Sequence, residues 1–235
     1  MTTPPPAEPG GPAALTRFDR AERVAHWVTA GLVVTLAATG AALSSGTLMA
    51  LVGRRRAVEL VHLAAGLALP LPVLVGLAGR GLRADLGRLN RWSSDDVAWL
   101  RAALHAAAER RRRHAGLVVG KFNAGQKLNA AFTAGAGLVM LGTGVIMYWF
   151  HPWPLAWRSG ATTTHDWLAL AVVVVAAGHV RFALRDPEAL RSMRTGRIGR
   201  DWAARHAPGW LAEQPRPGEA ATAQPAAAEP AAAEP

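Results

Sequence analysis

Residues 165–179 read HDWLALAVVVVAAGH, a run of leucine, alanine and valine closed at each end by a histidine. A helix of this composition suits hydrocarbon. An imidazole buried there does not, unless something bonds to it. His165 and His179 are fourteen residues apart, close to four turns and about 21 Å of helix rise. Both rings therefore project from nearly the same face, at two different depths. The identity of whatever meets them decides how the rest of the chain is read.

Four stretches are long and apolar enough to cross a bilayer as helices, which takes roughly 20 residues. They are about 24–43, 58–78, 128–150 and 162–182. Pro70 and Pro72 predict a kink in the second, which neighbouring helices can accommodate. Gly135, Gly137, Gly142 and Gly144 in the third permit close approach of another helix. The expected fold is all-α, a transmembrane four-helix bundle. Outside it lie a proline-rich N-terminus (1–14), a basic loop (80–127) and an Ala/Pro/Glu tail (213–235) of low complexity. Both ends read as unstructured, leaving a membrane domain at 15–212.

Lysine and arginine then orient the bundle. Arg17, Arg20 and Arg23 precede the first span, the 110–113 run with Lys121 and Lys127 lies between the second and third, and six arginines from Arg185 to Arg205 follow the fourth. The other two loops hold only Arg54, Arg55, Arg56 and Arg158. Positive-inside bias places both termini and the long loop on the cytoplasmic side of the membrane. Trp149, Trp153, Trp157 and Trp167 form an aromatic belt at the opposite interface. The charge of +10 is topological in this setting, and no recognition motif for nucleic acid accompanies it. With no cysteine in the chain, disulfides, thiolate-held iron–sulfur clusters and covalent haem attachment are excluded.

With this topology the intramembrane histidines fall into two pairs by depth. His26 begins the first span and meets His179 near the cytoplasmic side; His62 lies with His165 nearer the outside. Two opposed imidazoles with no cysteine and few carboxylates suit a six-coordinate haem iron, which has no site open to oxygen or substrate and so favours electron transfer. Arg20, Arg23, Lys127 and Arg181 inside, and Arg54 to Arg56 with Arg158 outside, are the cations within reach of propionates. Intramembrane histidines also mark proton and ion paths, so a haem-free proton or ion transporter, with Asp166 beside His165, stays open at this point. Zinc would want three or four ligands at one depth. His105, His114 and His206 fall in basic segments and read as solvated, and His151 in HPWP as interfacial.

Abutting the third span is GKFNAGQKLN (120–129), whose Lys121, Asn123, Gln126 and Lys127 lie at the depth of the His26/His179 pair. Polar donors beside an apolar crevice suit the carbonyl head of a quinone; anchoring at the interface and an N-cap from Asn123 account for the same residues. Taken with RFDRAERVAHW (17–27), VHLAAG (61–66), the His165/His179 spacing and MRTGRIGRDWAARHAPGWL (193–211), KFNAGQK (121–127) resembles the gamma subunit, cytochrome b556, of membrane-bound respiratory formate dehydrogenase. Phe122 stands where that family's KYNAGQK-type signature has tyrosine, and Asp166–Trp167 follow His165 where small apolar residues are expected. Four-helix cytochromes b of nickel–iron hydrogenases and of the b561-like group share the fold and the histidine pattern, and a role with one of these or another oxidoreductase is the alternative.

The resemblance implies two non-covalent b haems, one held by His26 and His179 on the cytoplasmic side and one by His62 and His165 on the outer side. It implies a quinone pocket at Asn123, Gly125 and Gln126. It also implies that this chain does not oxidise formate and has no catalytic residue of its own. That reaction belongs to a molybdenum- or tungsten-containing alpha subunit, from which an iron–sulfur beta subunit passes electrons to the outer haem and on to quinone in the respiratory chain.

Overall fold

In the computed structural model the described residues are 14–109 and 118–215. The first thirteen residues, the 110–113 arginine run, His114 and the tail from 216 onward lie outside them. The order is β1 (Ala14–Thr16), α1 (Arg20–Ser44), α2 (Gly46–Val52), α3 (Arg55–Ala68), α4 (Leu71–Gly76), α5 (Arg80–Leu89), α6 (Ser94–Glu109), α7 (Ala124–Tyr148), α8 (Leu155–Leu184), α9 (Pro187–Thr195), β2 (Arg197–Gly199), α10 (Arg200–His206) and α11 (Pro208–Ala212).

Four segments meet the length and hydropathy needed to cross a membrane: α1, α3 with α4, α7 and α8. At 25 residues, α1 and α7 are each about 37 Å long. Their apolar side chains point outward: Val34 is 67% exposed and Leu138 72%. Such surfaces in a soluble protein would mark an interaction face; ringing four long helices, they define the lipid contact. The main packing joins α1 to α3 and α7 to α8, with α3 also touching α7. The second span breaks at Leu69–Pro70, as its prolines predict, because Pro70 and Pro72 lack the N–H that would continue the ladder.

Three features depart from the sequence expectations. The fourth span begins at Leu155, not near 162, since Pro154 ends the HPWP turn and the polar residues after it continue one 30-residue helix. The segment read as a basic loop, 80–127, contains α5 and α6. Residues 46–52, between the first two spans, form the short helix α2, capped by Ser45 and closed by Gly53 in the left-handed conformation (φ 69°).

A small folded cap closes the end of the bundle that carries both the N-terminal arm and the C-terminal segment. β1 pairs antiparallel with β2, Leu15 opposite Ile198. Ile198, Trp202, Ala203, Ala207 and Trp210 form its buried core. Trp202 Nε1 donates to Asp186 Oδ2 at 2.9 Å, and the Arg17 guanidinium lies 4.3 Å over the Trp202 ring. Burial pulls that guanidinium down to about 10 against the opposing attraction of Asp186 and Asp85. Gly196 turns the chain from α9 into β2 with φ 82°; a Cβ there would also strike the Phe18 carbonyl at 2.5 Å.

Beneath the cap, Lys121 is buried between two carboxylates, paired with Asp85 of α5 and 3.8 Å from Glu22 of α1. Its ammonium also lies over the rings of Phe18 and Phe122. This cluster ties the chain before α7 to the start of α1 and to α5, so the third span is anchored at the same end as the first.

Candidate functional site

The start of α1 is fixed by a capping box. The Asp19 side chain accepts from Glu22 N at 2.8 Å, and Asp19 N donates to the Glu22 carboxylate at 2.6 Å. That boundary sets the height of His26 in the second turn of α1. His179 stands five residues before the end of α8, which returns to the same end of the bundle. The two rings meet with centres 6.2 Å apart and planes inclined at 58°. Deeper in the bundle, His62 of α3 meets His165 of α8 with centres again 6.2 Å apart and planes at 61°. The depth pairing inferred from topology is thus a pairing of rings. We refer to His26/His179 as the basic-end couple and His62/His165 as the far-end couple.

The separation is chemically selective. With metal–imidazole bonds of about 2.0–2.1 Å, two rings opposed across one ion have ligating nitrogens about 4 Å apart and centres roughly 6–6.5 Å apart. Both couples match that spacing, whereas a hydrogen-bonded pair would sit closer. Among the described residues no three histidine, cysteine or acidic side chains converge as a metal-binding group, so each couple offers two imidazoles and nothing more. Glycine keeps the neighbouring wall open at the far end: a Cβ on Gly40 would lie 3.4 Å from His62 Cε1, and one on Gly144 3.6 Å from His165 Cε1.

Both far-end rings are held by threonine hydroxyls. Thr39 Oγ1 lies 2.8 Å from His62 Nδ1, and Thr143 Oγ1 lies 2.9 Å from His165 Nδ1. On the same face of α8, two turns before His165, the Arg158 Nε is buried without an acceptor, its guanidinium 5.8 Å from the Phe150 ring centre. A guanidinium nitrogen buried without an acceptor, two turns along α8 from one of two ligand-spaced imidazoles, suits a group that brings its own carboxylates, as a haem does. The described residues therefore fit bis-imidazole haem.

The other cations named from the sequence are largely engaged. Arg55 and Arg56 pair with Glu59. Arg23 bonds the carbonyls of Asp19 and Arg194, and Lys127 pairs with Asp96 at 2.6 Å while donating to the Arg91 carbonyl. Burial pushes the Asp96 carboxyl upward, but the hydrogen bond from Lys127 and those from Ser93 outweigh it and leave the group below the ordinary aspartate range.

In the KFNAGQK stretch, Asn123 and Gln126 close on each other as a second capping box. The Asn123 side chain accepts from Gln126 N at 2.9 Å, and Asn123 N donates to the Gln126 side chain at 3.0 Å. Gly125 lies against Trp99 of α6, where a Cβ would stand 3.2 Å from the indole. Among the described residues neither Asn123 nor Gln126 hydrogen-bonds to His26 or His179. Both residues sit at the basic end and start the third span, the N-capping role the sequence offered as one account. A separate cavity of about 330 Å³ lies between α1 and α9, walled by Val24, Trp27 and Val28, with Arg20 and Arg194 on its rim. His206 stacks on Trp202, ring centres 4.7 Å apart, His151 stacks on Phe150, and His105 is exposed.

Thr39, Thr143, Gly40 and the cavity were not identified from the sequence. The one signal in it was a dipeptide repeated within the spans, Thr-Gly at 39–40 and again at 143–144, with a third copy at 195–196 outside them.

Four membrane-length helices enclosing two opposed imidazole couples define a multi-pass membrane cytochrome of the b type. A family model described as prokaryotic cytochrome b561 matches residues 17–196, and the chain belongs to that family. Among curated proteins no significant match was found. As a member, the chain is a bacterial membrane cytochrome b that binds haem b and transfers electrons, which disposes of the haem-free transporter.

Proposed function

We propose that this cytochrome carries two b haems, one on each histidine couple, and serves as the membrane subunit that delivers electrons from a partner dehydrogenase to quinone. The observation that carries this reading is the equal 6.2 Å spacing of the two couples at two depths. His62 and His165 would hold the far-end iron, and His26 and His179 the basic-end iron. Bound there, the haems supply one-electron carriers, with no coordination site left for bond chemistry.

The chain's own residues supply the rest. Arg158, two turns before His165 on α8, would offer its unpaired Nε–H to a carboxylate of the far-end group. Lysines and arginines gathered at the cap favour the cytoplasm for that end, since positive charge is retained on that side. Asn123, Gly125 and Gln126 start α7 at that same end, where an amide left partly open by its cap can meet a quinone carbonyl. Electrons would enter at the outer face from an iron–sulfur subunit and leave near the cytoplasmic face.

For the partner we favour formate dehydrogenase, with an iron–sulfur beta subunit and a molybdenum or tungsten alpha subunit. Support comes from KFNAGQK and from the arginine-rich stretch 193–211, both of which resemble its gamma subunit. The second reading, a cytochrome b serving a nickel–iron hydrogenase, is favoured by the family's own label, which refers to nickel-hydrogenase cytochrome b. Affinity purification of the tagged full chain from its native membrane separates them. Co-isolation of formate-dependent, quinone-reducing activity supports the first; hydrogen-dependent activity in its place overturns it.

A further inference from the structure

Resting on the dihaem reading, we infer that Thr39 and Thr143 are positioning residues: they fix the Nδ1–H tautomer of His62 and His165, leave Nε2 of each ring for the shared iron, and hold the far-end haem at a lower potential than the basic-end haem.

The argument begins with the threonine protons. A hydroxyl has one proton to donate, and a carbonyl can only accept. Thr39 Oγ1 stands 2.7 Å from the Thr35 carbonyl, and Thr143 Oγ1 stands 2.8 Å from the Val139 carbonyl. Each hydroxyl proton is therefore committed to its own helix. What each oxygen turns toward histidine is a lone pair, so the imidazole must be the donor: Nδ1–H of His62 to Thr39, and Nδ1–H of His165 to Thr143. The tautomer follows, and Nε2 carries the free pair.

Bonding to an i−4 carbonyl is ordinary behaviour for threonine in an apolar helix, and Thr35, Thr133 and Thr162 all do it without touching a ring. Thr39 and Thr143 do it and also reach a histidine on the neighbouring helix. Each is followed by a glycine that opens the space beside that same histidine. The arrangement occurs twice, in the α1/α3 pair and in the α7/α8 pair, and both copies converge on one couple.

Nothing equivalent holds the other couple. Among the described residues no group hydrogen-bonds to the His26 or His179 ring; His26 meets Trp27 edge-on, centres 5.3 Å apart. An acceptor on the remote N–H of a ligating imidazole makes the ring a stronger donor. Stronger donation favours the oxidised iron and lowers its potential. With the two threonine oxygens joined by the Leu36 and Met140 carbonyls as acceptors for the far-end rings, and none among the described residues at the basic end, electron flow from His62/His165 toward His26/His179 is downhill.

The test is a spectroscopic redox titration of the purified full-length protein, with low-spin haem signals followed by electron paramagnetic resonance. The haem lost in His62→Ala identifies the far-end component. In the isosteric Thr39→Val/Thr143→Val variant that component should titrate higher, by about tenfold in its reduction equilibrium, or about 59 mV for one electron, while the other stays in place. Thr39→Ser/Thr143→Ser should restore the original value. If the double valine variant does not retain the far-end haem, Thr39→Val alone should show a smaller shift in the same direction. Unmoved potentials with both haems bound, or a shift confined to the basic-end haem, overturn the inference and leave the dihaem reading intact. A wild-type preparation without haem overturns the reading itself.

Discussion

His62 and His165 face each other from two different helices at 6.2 Å between ring centres, and each is braced from behind by a threonine of a third or fourth helix. All four membrane helices thus contribute to one couple: α3 and α8 supply the rings, α1 and α7 the braces. The basic-end couple needs only α1 and α8. The far-end site is therefore the one that requires the whole bundle to be assembled.

That dependence can be probed through Gly40. A Cβ at this position would already stand 3.4 Å from His62 Cε1, so Gly40→Leu should displace the ring and remove the far-end haem. The basic-end haem should survive, giving about half the wild-type haem content by pyridine haemochrome assay. Full haem content in a folded Gly40→Leu protein would show that the glycine is not part of the site.

Lys121 is buried with Asp85 and Glu22, every side chain under 8% exposed. Removing one partner from such a group strands the remaining charges, at about 3–5 kcal/mol. Lys121→Met, which leaves two carboxylates facing each other, should destabilise more than Asp85→Asn, which leaves Lys121 with Glu22. Thermal unfolding of the two variants in the same detergent gives the order; equal melting temperatures would contradict it.

The Lys127–Asp96 pair docks α6 against α7 and carries a pH signature. The folded-state carboxyl lies below its ordinary value, so the pair stabilises the fold above the unfolded aspartate pKa of about 3.9 and is lost as pH falls through the lowered folded value. Wild-type stability should therefore decline more steeply than that of Asp96→Asn between roughly pH 5 and the acid limit. Parallel pH profiles for the two proteins would count against the pair.

Asn123 has two claims on it, cap and quinone ligand, and they separate by substitution. Serine is as good an N-cap as asparagine, whereas alanine loses about 1 kcal/mol. Asn123→Ser should keep the wild-type melting temperature while raising the KM for quinone several-fold. An unchanged KM in a protein of unchanged stability would assign Asn123 to capping alone.

The four spans were legible because hydrocarbon thickness dictates their length, and the histidine couples because helix rise and alternating direction dictate depth. Pro70 and Pro72 announced the break between α3 and α4 for an equally local reason. The rest of the fold was less visible. Leu82, Leu86 and Leu89 space a helical face along α5, but the arginines between them break up the apolar run that marks a span, so the segment looks in sequence like a basic loop. Strands of three residues such as Ala14–Thr16 and Arg197–Gly199 are too short to show alternation, so the cap emerged only when the two ends of the chain were brought together. Thr39 and Thr143 look in sequence like hydroxyls content with their own helices, which they are. Their second bond depends on where α3 and α8 lie, and no local pattern encodes that. Lys121 was grouped with quinone-facing residues, yet it is spent on Asp85, a partner 36 residues earlier in the chain.

The most direct measurement is the number of haems per chain in purified wild-type, His26→Ala and His62→Ala proteins, with each residual haem followed through a redox titration. The account predicts two, one and one, and the single haem left in each variant titrating at a different potential. One haem or none in the wild-type protein, or the same haem lost in both variants, would contradict it.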